Sequence, residues 1–367
     1  MNSPTVPNGK DAILVVGGGI AGITAACEAA EVGNNVILVE KEAFLGGRVI
    51  TLHNYFPKLC PPTCGLEINF RRLRTNPRIT VLTKAEVTKV AGARGDFDVT
   101  IELGAFDPAA LTDDEKGYMA AWAPAGAPAR EASTIETKVG SIVAATGWTP
   151  YDANNLDTLG YAESADVVTN MELERMAASG KIVRPSDGEV PKRIAFVQCA
   201  GSRDNNHLPY CSAVCCMGSL KGIRYVRQFL PEAEAQMFYI DIRTIGRHEE
   251  FYYELLEDEK VSFTKGKVAK VVPEEGQLEV SVEDTIGGKL LHEKFDMVVL
   301  ATGVVPNWKD APIEGADVAV DDYGFIHQGT ERTGIYGVGC ARRPIDVSRS
   351  VKDATAATLR AIQDTRR

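Results

Sequence analysis

The chain has 367 residues, of which 44% are hydrophobic and 25% charged, and its formal net charge is −10. This composition is that of a folded protein with two or three domains, and the acidic balance argues against nonspecific binding to nucleic acid or anionic lipid. No apolar run approaches the ~20 residues that cross a bilayer, and the N-terminus does not resemble a signal peptide. We therefore expect a cytoplasmic protein without a membrane span, which partner subunits could still attach to a membrane.

The first motif is a glycine turn between a strand and a helix within residues 11–40. Its spacing is G-x-G-x-x-G: Gly17 permits the tight turn, Gly19 lets the backbone approach a pyrophosphate, and Gly22 lets helix and strand pack closely. The free N–H groups at the helix start face the phosphates, and an acidic residue at the end of the second strand is placed to bind a ribose hydroxyl. The sequence thus predicts a dinucleotide site made by Gly17, Gly19, Ile20, Ala21, Gly22, Glu40 and Lys41.

Later segments continue the alternation of strands and helices. Residues 79–103 alternate as antiparallel strands do, and residues 104–134 are predicted to be irregular with one short helix. A polar linker at 185–191 precedes a second strand–turn–helix unit. Further strands are predicted at 141–146, 193–198, 237–242, 261–272, 278–282 and 296–301, and helices at 167–180, 213–230 and 350–367.

The second strand–turn–helix unit carries cysteines where a second glycine fingerprint would be expected. The strand at 193–198 leads into Cys199, and the spacing C-x11-C-x3-C-C continues through Cys211, Cys215 and Cys216. Side chains there would obstruct a pyrophosphate, so direct use of NAD(P)H is doubtful. Adjacent thiolates suit a tetrahedral zinc poorly and depart from ferredoxin spacing, so a [4Fe–4S] cluster is favoured. Zinc, or buried unligated thiols, are the alternatives.

Four motifs in order resemble the flavoproteins with two dinucleotide domains, the glutathione and thioredoxin reductase-like class. The motifs are LGGR after the second strand, two strand ends with the sequence ATG, and a glycine segment before the last helix. The resemblance implies FAD in the first domain, to which the chain returns at its end. It implies flavin contacts at Gly47, Arg48, Thr146, Gly147, Thr302, Gly303, Gly339 and Cys340.

The segments VQCAGSRD and YCSAVCC resemble the A subunit of heterodisulfide reductase and its relatives, among them subunits of the quinone-interacting membrane-bound oxidoreductase and of sulfur-oxidation heterodisulfide reductase-like complexes. The resemblance implies a thioredoxin reductase-like fold, FAD, a cubane ligated by the four cysteines, heterodisulfide reductase-like partner subunits and a homodimer. Long family members carry extra ferredoxin modules that this chain lacks, so electrons would pass through partners. Cys340 replaces the Asp that the reductase class has after the last glycine segment.

A second cysteine pair, Cys60 and Cys64, follows the LGGR motif in the sequence CPPTC. In flavin disulfide reductases a dithiol lies near this point, so one interpretation is a redox pair against the flavin. The other is a rigid turn with two packed thiols. The redox pair would make this protein a self-contained NAD(P)H-dependent disulfide reductase, and a zinc-bearing scaffold with a vestigial flavin site is a third possibility.

The fold class expected from these motifs is α/β, with two Rossmann-like dinucleotide-binding domains. Residues 1–152 together with 321–367 are predicted to bind FAD, and residues 153–320 to carry the cluster. The expected function is electron transfer between flavin, cluster and partner subunits in sulfur or sulfate metabolism, because FAD accepts electrons in pairs and a cluster singly.

Overall fold

The structure is a computed structural model and describes residues 4–56, 58–327 and 333–366. The chain divides into two compact units. Unit 1 comprises residues 1–51, 60–149 and 305–367, and unit 2 comprises residues 52–59 and 150–304. Residues 305–320, which we expected in the second domain, lie in unit 1, where the N–H of Val90 donates to the carbonyl of Glu314 at 2.8 Å.

Strands and helices are numbered in chain order. The strands are β1 Gly9–Val16, β2 Asn35–Glu40, β3 Ile79–Thr83, β4 Ala85–Ala93, β5 Asp96–Leu103, β6 Ser133–Ala144, β7 Trp148–Pro150, β8 Val167–Thr169, β9 Arg193–Ala200, β10 Glu234–Tyr239, β11 Val261–Lys265, β12 Val268–Glu274, β13 Gln277–Asp284, β14 Lys289–Phe295, β15 Met297–Thr302, β16 Val304–Pro306 and β17 Ile335–Gly337. The helices are α1 Ile20–Glu31, α2 Gly47–Ile50, α3 Pro62–Thr75, α4 Asp113–Trp122, α5 Asn170–Ala178, α6 Cys215–Phe229, α7 Glu249–Leu256 and α8 Val347–Asp364.

Unit 1 is built on one sheet with the strand order β3-β2-β1-β6-β5-β4, and β17 also pairs with β6. Its parallel part is β3, β2, β1, β6 and β17, whereas β6, β5 and β4 pair in antiparallel fashion. The central strands are apolar and buried, as expected for parallel strands covered on both faces. Alanine-rich α1 packs against α8 because their small side chains allow close approach.

Unit 2 has a five-stranded parallel sheet with the order β11-β10-β9-β15-β8 and a three-stranded antiparallel sheet, β12-β13-β14. From β9 the chain proceeds to β10 and β11 on one side, whereas β15 and β8 lie on the other. The strand order therefore reverses between β9 and β15. In open α/β sheets, ligands bind outside the carboxyl ends of the strands at such a point.

Several predicted elements differ from the observed ones. The helix predicted from residue 213 begins at Cys215, because Ala213 has a φ of +61°, which an α-helix cannot include. The first strand of the segment 79–103 is parallel to β2, and only β4 and β5 form the antiparallel pair. Helices α3 and α7 and strand β14 were not predicted. No helix in the described part of the chain is long and apolar enough to cross a membrane.

Candidate functional site

The glycine loop of unit 1 is shaped by two close backbone approaches. Gly17 has a φ of +107°, and its N–H donates to the carbonyl of Val39 at 2.8 Å. A Cβ added at Gly22 would lie 1.8 Å from the carbonyl oxygen of Gly17. The turn and the packing of α1 on β1 therefore both require glycine, as the sequence analysis argued.

The second glycine of the motif, Gly19, has different surroundings. Gly19 is the N-cap of α1 and provides no side-chain cap, and no acidic residue lies in the first turn. A Cβ added at Gly19 would meet only the Cα of Gly47, at 4.0 Å. The space in front of the helix start is open, and helix N-termini favour anions. This arrangement fits a pyrophosphate.

Glu40 ends β2 with a buried carboxyl group, whose pKa is raised by burial. Its Oε2 accepts the N–H of Gly18 at 2.6 Å, and its Oε1 accepts the N–H of Glu42 at 2.9 Å. A carboxylate oxygen has capacity for a further bond, so the group can also accept a ribose hydroxyl. Gly18 was not given a role from the sequence, yet a Cβ there would lie 2.5 Å from Leu45 Cδ2.

Other residues predicted to contact flavin lie in the same unit. The Arg48 Nε donates to the carbonyl of Trp148 at 2.5 Å, and its guanidinium carbon is 4.9 Å from the Trp148 ring centroid. The buried Thr146 Oγ1 has no hydrogen-bond partner among the residues that the structure describes. Buried polar atoms are nearly always paired, so this hydroxyl fits a site completed by a ligand. Gly147 follows with a φ of +72°.

The glycine segment before the last helix is anchored by a residue that the sequence analysis assigned no role. The buried carboxylate of Asp353, on α8, accepts the N–H of Gly339 at 2.9 Å and pairs with the Arg342 guanidinium. Cys340 donates its thiol to the carbonyl of Ile345 at 3.3 Å, and burial raises its pKa to about 11. A neutral thiol in this place differs from the Asp of the reductase class. Taken together, the residues of unit 1 fit FAD.

Two predicted flavin contacts, Thr302 and Gly303, lie instead in unit 2. They follow β15, and the carbonyl of Thr302 accepts the thiol of Cys215 at 3.5 Å. A Cβ added at Gly303 would lie 2.6 Å from Ser202 Oγ and 3.0 Å from Ser212 Oγ. They therefore pack against the cysteine segment, and a role in flavin binding stays a prediction.

The four cysteines of the C-x11-C-x3-C-C motif gather in unit 2 at the carboxyl ends of β9 and β15. Cys199, Cys215 and Cys216 are buried, whereas Cys211 is half-buried. Cys199 interrupts the pairing of β9 with β15 as a bulge, and Cys215 and Cys216 begin α6. Cys211 precedes the helix and lies in the loop before it. This is the place where a second dinucleotide would contact its sheet.

The four thiols act on one another electrostatically. Burial and the neighbouring thiols raise the pKa of Cys215, and burial with Cys216 raises the pKa of Cys199 to about 11, which the Arg203 guanidinium opposes. Burial raises the pKa of Cys216 as well, against a hydrogen bond from the backbone of Arg243. The N–H of Ala213 donates to the sulfur of Cys211 at 3.4 Å. Donors aimed at sulfur stabilise thiolates and tune cluster potentials.

The backbone around these cysteines is strained. Cys199, Arg203 and Ala213 have φ values of +56°, +55° and +61°, in the left-handed region that non-glycine residues rarely adopt. The segment is held by Ser202 and Ser212, whose hydroxyls are 2.8 Å apart, and Ser212 also accepts the N–H of Val304 at 2.9 Å. Such strain is concentrated at functional sites. Neither serine was predicted to matter.

The described residues contain no group of three or more His, Cys, Asp or Glu side chains arranged to hold a metal ion. In a cubane each thiolate ligates a different iron, so four thiols around one loop and one helix start fit a cluster by their number and chemistry. Ligation by Cys199, Cys211, Cys215 and Cys216 stays a prediction.

The remaining cysteines belong to unit 1. Cys60 is half-buried and Cys64 is exposed in the first turn of α3, so CPPTC is a helix start rather than an isolated rigid turn. All the cysteines are free of disulfides. Cys27 is buried in the core on α1, and burial raises its pKa to about 11.

Comparisons with known families and structures agree with this geometry. The family model described as FAD dependent oxidoreductase matches residues 12–55. The fold is similar to thioredoxin reductase from T. acidophilum, with a TM-score of 0.61, 15% identity and coverage of 97% of this chain and 98% of that one. The reductase from Lactococcus lactis gives a TM-score of 0.57 at 15% identity, covering 96% and 98%. The predicted fold class is confirmed.

Sequence relatives are more specific. The chain is 34% identical, over 96% of its length, to an A-type iron-sulfur subunit of the CoB–CoM heterodisulfide reductase of Methanopyrus kandleri. It is 32% identical, again over 96%, to the A subunit of the H2:CoB–CoM heterodisulfide,ferredoxin reductase of Methanothermobacter marburgensis. The chain spans less than two thirds of these relatives, 64% and 63% of their lengths.

Proposed function

The chain is a relative of the A subunit of heterodisulfide reductase along 96% of its length, and from this premise we propose that it is the FAD- and [4Fe–4S]-bearing electron-transfer subunit of a heterodisulfide reductase-like complex. The observation that carries the proposal is the gathering of four cysteines at the carboxyl end of the second parallel sheet. A nicotinamide dinucleotide, bound in addition to FAD, would need that space. The oxidoreductase class itself agrees with the FAD dependent oxidoreductase match.

In unit 1 the residues would bind FAD and orient it. The open helix start at Gly19 would hold the pyrophosphate, Glu40 would accept a ribose hydroxyl, and the orphaned Thr146 hydroxyl would pair with the ligand. Asp353 fixes Gly339 and the guanidinium of Arg342. This pairing neutralises part of the positive charge beside the glycine segment.

In unit 2 Cys199, Cys211, Cys215 and Cys216 would hold the cluster. The strained loop and the Ser202–Ser212 pair fix the positions of the sulfurs before ligation. The Arg203 guanidinium and the N–H groups of Ala213 and Arg243 stabilise negative charge on sulfur. When bound, FAD exchanges electrons in pairs and the cluster exchanges them one at a time.

The relatives that support this proposal are named as subunits of reductases that act on the CoB–CoM heterodisulfide. For this chain we propose partner subunits of the same kind, with which it would work in sulfur or sulfate metabolism in the cytoplasm as a homodimer. The cysteines that replace a second glycine fingerprint support delivery of electrons by partners rather than directly by NAD(P)H.

Anaerobic purification followed by absorption and electron paramagnetic resonance spectra, with flavin, iron and acid-labile sulfide counts, tests the proposal. We expect one FAD and four irons with four sulfides per chain. Cys211→Ser should lose the cluster signal and keep FAD, because Cys211 belongs to unit 2. Cys27→Ser is the matched control and should keep both, since Cys27 lies in the core of α1.

Zinc without sulfide, or a full set of cofactors in Cys211→Ser, would contradict the cluster assignment. Rapid bleaching of the flavin by NADPH with turnover of a disulfide would favour the self-contained reductase that uses Cys60 and Cys64. The exposed position of Cys64 gives that alternative no support from a flavin-facing dithiol.

A further inference from the structure

The cysteine site of unit 2 has one side that reaches the surface. Cys211 is half-buried, whereas the other three thiols are buried. Cys211 also lines an open pocket of about 650 Å³. Electron tunnelling weakens steeply with distance, so a redox partner exchanges electrons fastest where a ligand is nearest to the surface. For the four-cysteine site this place is the pocket at Cys211.

The pocket is polar and its cations come from three segments. Arg203 follows β9, Arg243 follows β10 and Lys267 follows β11, so the carboxyl ends of three neighbouring strands each contribute one cation. Asn205 and Asn206 add amide groups to the lining. In a chain with a net charge of −10, this pocket thus brings three cations together.

Two carboxylates share these three cations. Asp204 accepts from the Lys267 ammonium at 2.6 Å, and Asp241 lies 2.8 Å from the Arg203 guanidinium and 3.8 Å from that of Arg243. The side chains of Arg243 and Lys267 are 49% and 43% exposed. Exposed ion pairs contribute little stability, so these cations can exchange their partners for other carboxylates at small cost.

We propose that the basic pocket formed by Arg203, Arg243 and Lys267 beside Cys211 is the docking surface for an acidic protein that exchanges single electrons with the cluster. This inference rests on the proposed function. With a cluster on the cysteines, the cations would stand between two negatively charged groups, the cluster and the partner, so they would reduce the repulsion and steer the encounter. One electron would pass from the reduced cluster to the partner's redox centre, with no proton or bond exchanged.

The test uses the anaerobically purified full chain with both cofactors. The cluster is reduced, and its reoxidation is followed by stopped flow with one of two one-electron acceptors, the anion hexacyanoferrate(III) or the cation hexaammineruthenium(III). The double variant Arg243→Glu/Lys267→Glu reverses two charges of the pocket. Arg175→Glu/Lys181→Glu makes the same change at two exposed residues, one in α5 and one just after it, and is the matched control.

We expect the pocket variant to react roughly tenfold more slowly with hexacyanoferrate(III) at low salt and faster with the ruthenium complex, with both differences vanishing at high salt. The control should resemble the unchanged protein. Equal rates in the pocket variant and the control, or a shift of the same sign for both acceptors, would overturn the proposal. If the double variant unfolds, the single variant Lys267→Gln should shift the two reoxidation rates in the same directions by a smaller factor.

A second arm identifies the kind of partner. Polyglutamate should slow the hexacyanoferrate(III) reaction of the unchanged protein far more than free glutamate at the same carboxylate concentration and ionic strength. Equal inhibition by both would assign the pocket to small anions and refute a protein partner. A preparation without iron and sulfide would contradict the proposed function before this test begins. A loaded cluster whose reoxidation rates do not depend on the charge of the pocket would contradict the docking proposal alone.

Discussion

At the scale of single residues, unit 2 contains a buried ion pair. Lys221 and Glu174 are 4% and 6% exposed and contact each other directly. Glu174 also accepts from the Tyr225 hydroxyl at 3.1 Å and from the N–H of His53 at 3.1 Å, and Lys221 donates to the carbonyl of Asn54 at 3.0 Å. The pair therefore fixes residues 52–59 within unit 2.

Removing one partner leaves a buried charge without compensation. We expect Lys221→Met to lower the free energy of unfolding by about 3–5 kcal/mol, measured by denaturant unfolding.

The double variant Lys221→Met/Glu174→Gln should recover most of this stability, because no unpaired charge is left. If the double variant is no more stable than the single variant, lost packing rather than charge explains the effect.

At the scale of elements, helix α3 decides the surroundings of the CPPTC cysteines. The two prolines lead into the first turn, where proline fits because its missing N–H would have no helical acceptor. This start leaves Cys64 exposed and Cys60 half-buried, whereas Cys27 is buried in α1. Reactivity toward alkylating agents needs both access and thiolate.

Alkylation of the native protein, followed by peptide mass spectrometry, should therefore label Cys64 first. Cys27 and Cys340 should be slow, because burial raises the pKa of each to about 11, and their rates should rise roughly tenfold per pH unit between pH 7 and 9 as the thiolate fraction grows. Cys64→Ser should remove the fastest phase. A Cys64 as slow as Cys27 would contradict the exposed position.

At the scale of the whole molecule, a ligand that binds only the folded chain raises its stability. FAD added to the apoprotein at 100 times its Kd should contribute about 2.7 kcal/mol, seen as a higher melting temperature and as hydrogen-exchange protection of α1 in unit 1. Gly19→Ala should abolish this gain, because its Cβ would occupy the space where we place the pyrophosphate. It should leave the apoprotein stable, because the nearest atom to that Cβ is the Cα of Gly47, at 4.0 Å.

Gly117→Ala is the matched control, since Gly117 lies in α4 with no atom within 4 Å of the added Cβ. It should keep the full response to FAD and gain up to about 1 kcal/mol from the better helix former. An unchanged FAD response in Gly19→Ala would place the pyrophosphate elsewhere.

The sequence by itself determined the local features of this protein. The turn at Gly17, the close packing at Gly22 and the α/β class depend on the spacing and size of neighbouring residues. These are fixed over one strand, one turn and one helix, so they are readable without any long-range contact. The VQCAGSRD and YCSAVCC segments likewise indicated a similarity to heterodisulfide reductase A subunits, which the sequence relatives share at 34% and 32% identity.

Only the tertiary structure decided the partners that come from distant segments. Four features depend on which segments meet across a sheet or a loop. They are the contact of Asp353 with Gly339, the Ser202–Ser212 pair, the left-handed Ala213 before the start of α6, and the allocation of residues 52–59 to unit 2. Their sequence separation carries no periodic signal, and the energy that selects them, burial of polar groups with their partners satisfied, is defined only once the chain has folded.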